Sequence, residues 1–247
     1  SVIDCLANTQ GDSPVLDVGQ AHTELIERIV EVDDGLMESY LGGEEIPADK
    51  IAAAFVRALQ AGTVVPIVFT HARKLVGVPE LLDLIVKVSP SPAAAKPVVF
   101  KTGDQTVEVK ADPAGPLAGL VFRIGYDPKS NMKYSSIRIF SGTIQSDSSI
   151  LRNDERKGFR PGHILRSQGG ENQEIASGQA GDIITLAKIE DFKLGDVIHD
   201  GRVTGRPVEP PLPDPMFSLA LEPAARGDEQ KISGALERLC DEDPCFK

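Results

Sequence analysis

The side chains in this sequence that could do chemistry are basic ones, gathered between positions 152 and 166. The members of this basic cluster are Arg152, Arg156, Lys157, Arg160 and Arg166, with Phe159 and His163 among them. Asp154 and Glu155 dilute its positive charge. Exposed Lys and Arg side chains bind the phosphates of nucleic acid, each adding a salt-dependent contribution. A solvated loop without a ligand has the same composition, so the sequence leaves both interpretations open.

The overall charge limits what this cluster could bind. The 247-residue chain has a formal net charge of −11, which argues against broad, nonspecific binding to nucleic acid. DNA is therefore not an expected partner. A local patch that contacts RNA remains compatible with this balance, because only the residues at the contact must be basic.

No motif in the sequence forms a self-sufficient active site. It contains no Gly-x-x-x-x-Gly-Lys-Ser/Thr phosphate loop, no His-Glu-x-x-His and no Gly-x-Ser-x-Gly. The residues that could ligate a metal or act as nucleophiles are dispersed: His22, His71, His163, His199, Cys5, Cys240 and Cys245. The sequence therefore predicts neither a metal site nor a catalytic residue.

Composition predicts a cytoplasmic protein that has no membrane partner. No apolar run approaches the length needed to span a bilayer, and no signal peptide opens the sequence. The three cysteines are odd in number and widely scattered, which favours a reducing compartment over a disulfide framework. The sequence leaves the oligomeric state open.

Residues 1–89 read as helices and one strand. Apolar residues recur at helical spacing over 24–41, a second helix follows Pro47 and ends near Gly62, and a third covers about 78–87 with Leu81, Leu82, Ile85 and Val86 inward. The acidic residues of the first helix are typical of a solvated face. Residues 64–69 predict a short buried strand. Because one strand cannot form a sheet, we expect this segment to be the C-terminal part of a larger α/β domain.

The rest of the chain reads as strands between two proline-rich linkers. Residues 90–97 and 207–215 predict the linkers, and short strands in 98–206 predict a closed or nearly closed antiparallel barrel. Its first hairpin, residues 117–144, alternates apolar and polar side chains around a turn in which Pro128 fixes φ and Asn131 tolerates a positive φ. Residues 216–247 predict a strand over 217–221 and a helix capped by Asp228 with Ile232, Leu236 and Leu239 inward. One strand and one helix cannot bury a core, so this third domain is expected to be incomplete.

The order of these segments resembles the translational GTPase elongation factor G. Residues 25–44, 65–72 and 77–83 are similar to the late part of the GTP-binding domain. Residues 120–123, 137–144, 180–183 and 194–198 are similar to the barrel domain, and 221–223, 228–231 and 242–244 to the opening of the third domain. Ile-Arg-Ile-Phe-Ser-Gly-Thr-Ile at 137–144 is the most specific match. The resemblance implies a multidomain α/β plus all-β fold: a partial GTPase domain, a complete translation-factor barrel and the start of a ferredoxin-like α+β domain.

This resemblance implies an internal fragment of a ribosome-binding factor that hydrolyses GTP to drive translocation. GTP and Mg²⁺ would bind the full-length parent, with no cofactor expected in these residues and no hydrolysis by them alone. Thr70, His71 and Ala72 occupy the position of the family's guanine-contacting Gly-Ser-Ala loop. A backbone donor at Ala72 could survive the change, whereas the serine hydroxyl is missing at His71.

That departure keeps other functions in view. The protein could be a ribosomal-protection or release-factor-type GTPase, or a divergent paralogue that does not translocate. A second class is a non-enzymatic barrel that binds RNA or protein. Aromatic residues make up only 5% of the sequence and Trp is absent, which disfavours recognition of single-stranded RNA by stacking.

Overall fold

A computed structural model describes residues 2–208, 211–225 and 227–246. The chain divides into two units, residues 1–91 and residues 92–247. Each unit has its own hydrophobic core. Pro210, one of the prolines of the second predicted linker, lies outside the described residues.

The first unit is built from four α-helices. They are α1 (Val18–Val30), α2 (Asp34–Leu41), α3 (Ala48–Ala61) and α4 (Val78–Val88), with a short 3-10 helix at Ala72–Lys74. Ile26, Ile29, Val30, Ala54, Phe55 and Ala58 form the centre of their core. The α3 prediction is confirmed at both ends, since Pro47 precedes the helix and Gly62 follows it at φ +80°.

Two helices stand where the periodicity of residues 24–41 predicted one. The Asp33 carboxylate accepts a hydrogen bond from the Leu36 backbone N–H at 3.2 Å, which caps α2 and ends the continuity with α1. Asp17 caps α1 in the same way, through the Gln20 N–H at 2.8 Å. Short acidic side chains satisfy the unpaired N–H groups of a first helical turn, so each new cap starts a new helix.

The sequence-based predictions of a buried strand over 64–69 and of the buried face of α4 were wrong. Residues 64–69 form no strand, and Val65, Ile67 and Phe69 are 78%, 80% and 56% exposed. A strand needs a neighbour to pair its backbone groups, and the described part of this unit offers none. On α4, Leu82, Ile85 and Val86 are exposed, while the face that packs on the core carries Leu84 and Val88.

The second unit contains three antiparallel sheets. Their strands are β1 (Val98–Thr102), β2 (Gln105–Val109), β3 (Ala118–Tyr126), β4 (Lys133–Ser141), β5 (Thr143–Gln145), β6 (Leu151–Arg152), β7 (Ile164–Gln168), β8 (Glu171–Ile175), β9 (Ser177–Gln179), β10 (Ile183–Ala187), β11 (Val197–His199) and β12 (Arg206–Pro207). The large sheet has the order β6-β11-β3-β4-β10-β7-β8, and the smaller ones are β12-β1-β2 and β5-β9. The mixed α/β and all-β fold with a large antiparallel sheet is confirmed.

Closure into a barrel is not found among the described residues. The seven-stranded sheet ends at β6 on one side and β8 on the other, and the ladders of the two smaller sheets are separate from it. The predicted hairpin lies at its centre, where β3 pairs β4 with register shifts at Ala118/Gly119 and Val121/Arg123. Asn131 adopts φ +59° in its turn, as predicted.

Aliphatic side chains fill the space enclosed by the large sheet. Val121, Ile124, Ile137, Ile139, Ile144, Ile150, Ile164, Ile184, Leu186, Phe192 and Ile198 are almost fully buried there. A second cluster joins the three-stranded sheet to it, and in that cluster Phe100 meets Phe140 edge-on with ring centroids 5.8 Å apart. The segment that carries the basic cluster is fixed to the larger core through Ile150 and Ile164.

The C-terminal part of the second unit contains one helix, α5 (Glu229–Glu242). The strand predicted over 217–221 is not formed, and Phe217 and Leu219 are 80% and 81% exposed. Asp228 stands at the helix start without a side-chain capping bond, and Asp243 ends the helix as predicted. Leu239 is 45% exposed, so its inward assignment was wrong.

Candidate functional site

The basic cluster begins at a fixed arginine. Arg152 donates from Nε to Glu155 Oε1 at 3.0 Å and from Nη1 to the Asp191 carbonyl oxygen, and its side chain is only 19% exposed. The hydrogen bond to Glu155 is the main cause that raises the pKa of Arg152. With its donors engaged inside the protein, Arg152 is a structural residue and contributes little to a surface patch.

Asn153, the residue after Arg152, is held by hydrogen bonds to Asp196, Val197 and His199. The sequence did not predict this group of contacts. Asn153 has φ +50°, and its side chain bridges β6 and β11: Nδ2 donates to Asp196 Oδ1 at 2.7 Å, while Oδ1 accepts from the Val197 N–H at 3.0 Å. His199 donates from Nε2 to the Asn153 carbonyl oxygen at 2.6 Å, since its Nδ1 accepts from the Gly201 N–H. Asn tolerates a left-handed backbone better than most residues. Because Asn153 bonds to residues more than forty positions later in the sequence, no local pattern in the sequence could predict these contacts.

The aromatic residue of the cluster is half-buried and packs against the core. Phe159 pairs its backbone with Ile150 in both directions at 2.9 Å and packs edge-on against Phe192, with centroids 5.5 Å apart. It is therefore not presented for stacking on a nucleic-acid base. Its function is to fasten the far end of the loop that starts at Arg152.

Four cations of the cluster remain on the surface: Arg156, Lys157, Arg160 and Arg166. Arg166 lies on β7, in register with Gln173 of β8. Arg156 and Lys157 lie in the loop between Arg152 and Phe159, and Arg160 directly follows Phe159. His163 faces Glu174 at 2.6 Å between Nδ1 and Oε1, with both side chains largely exposed. The structure thus brings four of the five predicted contact residues to one accessible segment and withdraws the fifth.

The segment predicted to correspond to the guanine loop is an exposed turn of the first unit. Thr70, His71 and Ala72 are all exposed, and the His71 N–H bonds the Val76 carbonyl oxygen at 2.8 Å. The imidazole of His71 accepts a weak hydrogen bond from the Lys74 N–H at 3.4 Å, capping the 3-10 helix. As the first helical residue, Ala72 directs its N–H away from the helix without an intrahelical acceptor.

The turn is closed by a glycine at a position where other residues do not fit. Gly77 has φ +74°, and a Cβ there would lie 2.2 Å from the Phe69 carbonyl oxygen. Val65, Ile67 and Phe69, which are exposed, precede the turn in the sequence, and α4 follows it with Pro79 in its first turn. The loop therefore has a defined shape.

The described residues contain no group of three or more His, Cys, Asp or Glu side chains placed to hold a metal ion. Within the same residues, none of the helices has both the length and the apolar character needed to cross a membrane.

Comparison with known proteins places family domains on this chain. The model of elongation factor G domain 2 matches residues 116–201, and the model of elongation factor G domain III matches residues 212–247. A crystal structure of a protein from Thermus thermophilus is similar with a TM-score of 0.72 and 29% identity, over 97% of this chain. The match takes in 35% of that longer chain. Two domains of one family in the family's order, together with this structural match, support an elongation factor G-like fragment.

Proposed function

We propose that this chain is an internal part of a GTP-driven translation factor that binds the ribosome, and that its basic loop contacts ribosomal RNA. The observation that carries this proposal is the loop from Arg152 to Phe159, which is fastened at both ends and leaves Arg156 and Lys157 exposed, with the exposed Arg160 directly after it. Cations on a rigid support suit an RNA backbone, which is recognised by shape and phosphate position. A factor of this kind works in the cytoplasm, where ribosomes are.

Ribosome binding tests the RNA contact. In the longest natural protein that contains this chain, the triple variant Arg156→Glu, Lys157→Glu and Arg160→Glu should sediment with ribosomes much more weakly than the unchanged protein. Each lost phosphate contact lowers the slope of log affinity against log salt by about 1. The expected loss is therefore largest at low salt.

A matched control has the same charge change elsewhere on the second unit. Lys101, Lys110 and Lys129 are exposed lysines outside the basic cluster. Their triple replacement by Glu should retain the salt slope of the unchanged protein. If both triple variants lose ribosome binding equally, the effect is one of net charge, and the loop has no specific role.

The first unit supports a GTP-binding domain that extends beyond the described residues. Val65, Ile67 and Phe69 are exposed at alternate positions of the segment that leads into the exposed turn at Thr70. A neighbouring strand would cover these side chains and pair the segment's backbone. GTP and Mg²⁺ would then bind in the parent protein, with the Ala72 N–H near the guanine base.

Nucleotide binding by the longer protein tests this loop. Ala72→Pro removes the backbone donor at a position where proline's fixed φ is tolerated. We expect it to weaken GTP binding about tenfold, the typical effect of one hydrogen bond to a ligand. His71→Ser retains the donor and restores the family's hydroxyl, so its affinity should be equal or higher. The 247-residue chain alone should show no GTP turnover.

The replacement of Gly-Ser by Thr70-His71 favours one second candidate, a paralogue with a changed nucleotide or ribosomal role. Ribosomal-protection and release-type GTPases belong to this group. A translocation assay with the longer protein separates them: a paralogue would bind ribosomes and hydrolyse GTP without moving tRNA and mRNA. A stacking RNA-binding module is disfavoured, because the ring of Phe159 is half-buried and packs edge-on against Phe192.

A further inference from the structure

Helix α5 is held on the β3-β4 hairpin by polar side chains. Tyr126 Oη donates to Asp241 Oδ2 at 2.7 Å, and the Tyr126 N–H donates to Glu242 Oε1 at 3.1 Å. Arg238 reaches the hairpin turn, where Nη1 donates to Asn131 Oδ1 at 2.7 Å. Each of these contacts joins the end of the hairpin to the last turns of α5.

A buried lysine is the centre of this contact. The Lys133 side chain is 3% exposed, and its Nζ donates to Asp241 Oδ2 at 2.8 Å and to the Glu190 carbonyl oxygen at 2.9 Å. Its ammonium also lies 5.7 Å from the Tyr126 ring centroid, and Arg238 lies 5.6 Å from the same ring. A lysine at a sheet end is seldom this buried. Its hydrogen-bond partners therefore compensate for the burial of this side chain.

Fully buried apolar side chains of α5 do not contribute to its contact with the hairpin among the described residues. No residue of α5 with a described side chain is fully buried; Ile232 and Leu236 are half-buried and Leu239 is exposed. The described residues between β12 and α5 form neither helix nor strand. This tether allows α5 to leave the hairpin without disturbing the strands. A contact of this composition differs from a permanent domain core, which buries apolar side chains.

We propose that the Lys133–Asp241 pair, with Tyr126, is a releasable latch that sets α5 either docked on the hairpin or free of it. The physical reason lies in the solvation of the two charges. Asp241 and its helix form the cover of Lys133, so release returns both charges to water and no unpaired ion stays buried. Removal of Asp241 with the helix still docked would leave a buried, partly unpaired lysine, a costly state. Release is thus the cheaper response to loss of the pair.

Spin-label distances on the whole 247-residue chain test this latch. With Cys5, Cys240 and Cys245 replaced by Ser, labels are attached at Lys129→Cys in the hairpin turn and Ala235→Cys on α5, both exposed positions. The unchanged pair should give one narrow distance distribution. Asp241→Asn and Lys133→Met should each broaden it, lowering the ratio of docked to free helix about tenfold or more.

Two further variants make the test specific. Glu237 lines the same cleft as Lys133 and Asp241 but makes no hydrogen bond or ion pair within the described residues, so Glu237→Gln should retain the narrow distribution. The double variant Lys133→Met with Asp241→Leu removes both charges and should recover part of the docking.

The latch is overturned by either of two results. One is a distribution for Asp241→Asn as narrow as that for Glu237→Gln. The other is loss of the β-sheet circular dichroism signal together with docking in Asp241→Asn, which would make the pair a requirement of the fold.

Discussion

Gly77 carries the strictest steric requirement of the first unit. Its φ of +74° strains any side chain, and a Cβ would also collide with the Phe69 carbonyl oxygen. Gly77→Ala should therefore lower the free energy of unfolding by about 3 kcal/mol, combining the left-handed backbone with the clash. Chemical denaturation monitored by helical circular dichroism measures it.

Gly62 provides the matched control. It has φ +80° in the same unit, with nothing within 4 Å of its Cβ position. Gly62→Ala should cost only the backbone preference, about 1 kcal/mol. Equal losses for the two variants would show that the contact with Phe69 contributes nothing.

Ser135 is the opposite case, a side chain whose removal should help. Its hydroxyl is buried in the core face of β4 without a hydrogen-bond partner among the described residues. Ser135→Ala should raise the free energy of unfolding by about 1 kcal/mol, because a buried unpaired polar group is costly. Ser141→Ala, which removes a buried hydroxyl bonded to the Asp112 carbonyl oxygen at 3.4 Å, should not stabilise. A lower midpoint for Ser135→Ala in urea would indicate that the hydroxyl has an unseen partner such as water.

Local chemistry explains which residue-scale expectations succeeded. Asn131 has the predicted positive φ because its tolerance of that conformation is a property of its own side chain. The withdrawal of Arg152 could not be predicted, because Asp191 and Asp196 reach it from a distant part of the sequence. The Lys133–Asp241 pair spans more than a hundred residues for the same reason. The roles of the guanine-loop and RNA-contact residues stay predictions.

At the scale of elements, one carboxylate joins the start of β3 to the end of β11. Asp200 Oδ2 accepts from the Leu117 N–H at 2.9 Å and from Arg202 Nη2 at 2.7 Å. Burial raises the pKa of Asp200, but the hydrogen bonds from Arg202 and Leu117 outweigh it, so the net pKa is lowered. Its stabilising contribution is therefore present above the unfolded pKa of about 3.9 and lost as the pH falls through the folded value.

Urea unfolding of the sheet between pH 2 and pH 6 checks this sign. The unchanged protein should lose this increment of stability below pH 4, whereas Asp200→Asn should lack it throughout and show a flatter acid limb. Asp147→Asn, an exposed carboxylate elsewhere in the unit, should retain the slope of the unchanged protein. An Asp200→Asn profile parallel to that of the unchanged protein would contradict the assignment.

Periodicity predicted elements well wherever the partner was also local. The β3-β4 hairpin was predicted because both strands and the turn are adjacent in sequence. Residues 64–69 and 217–221 have the composition of strands but pair with nothing in the described residues. Strand propensity reflects packing on a neighbouring strand, so composition alone overestimated both segments. The break between α1 and α2 needed the geometry of the Asp33 cap.

The chain combines well-packed cores with segments that have exposed apolar side chains and no regular secondary structure. Met216, Phe217 and Leu219 are among its most exposed large side chains, whereas Phe100 and Phe192 are fully buried. Limited chymotrypsin digestion should therefore cut first at residues 216–221 and leave the sheets of the second unit intact. Exposed segments without regular structure are the preferred sites of cleavage.

Mass spectrometry of the first products checks this expectation. A first cut at Phe122, which lies within β3 and is 41% exposed, would contradict it, because sheet pairing should protect that bond. Full closure into a barrel is not found among the described residues, where the large sheet ends at β6 and β8. The number of strands and their spacing do not determine whether the first and last strands meet.

The fastening of the basic loop at Arg152 and Phe159 also determines the thermodynamics of any contact it makes. A flexible basic segment loses conformational entropy when it settles on a phosphate backbone. Here that ordering has already taken place on folding, because Phe159 packs on Phe192 at one end and Arg152 donates to the Asp191 carbonyl oxygen at the other. Association through this loop should thus have a small heat-capacity change and a favourable entropy from released counterions, a calorimetric signature opposite to that of coupled folding and binding.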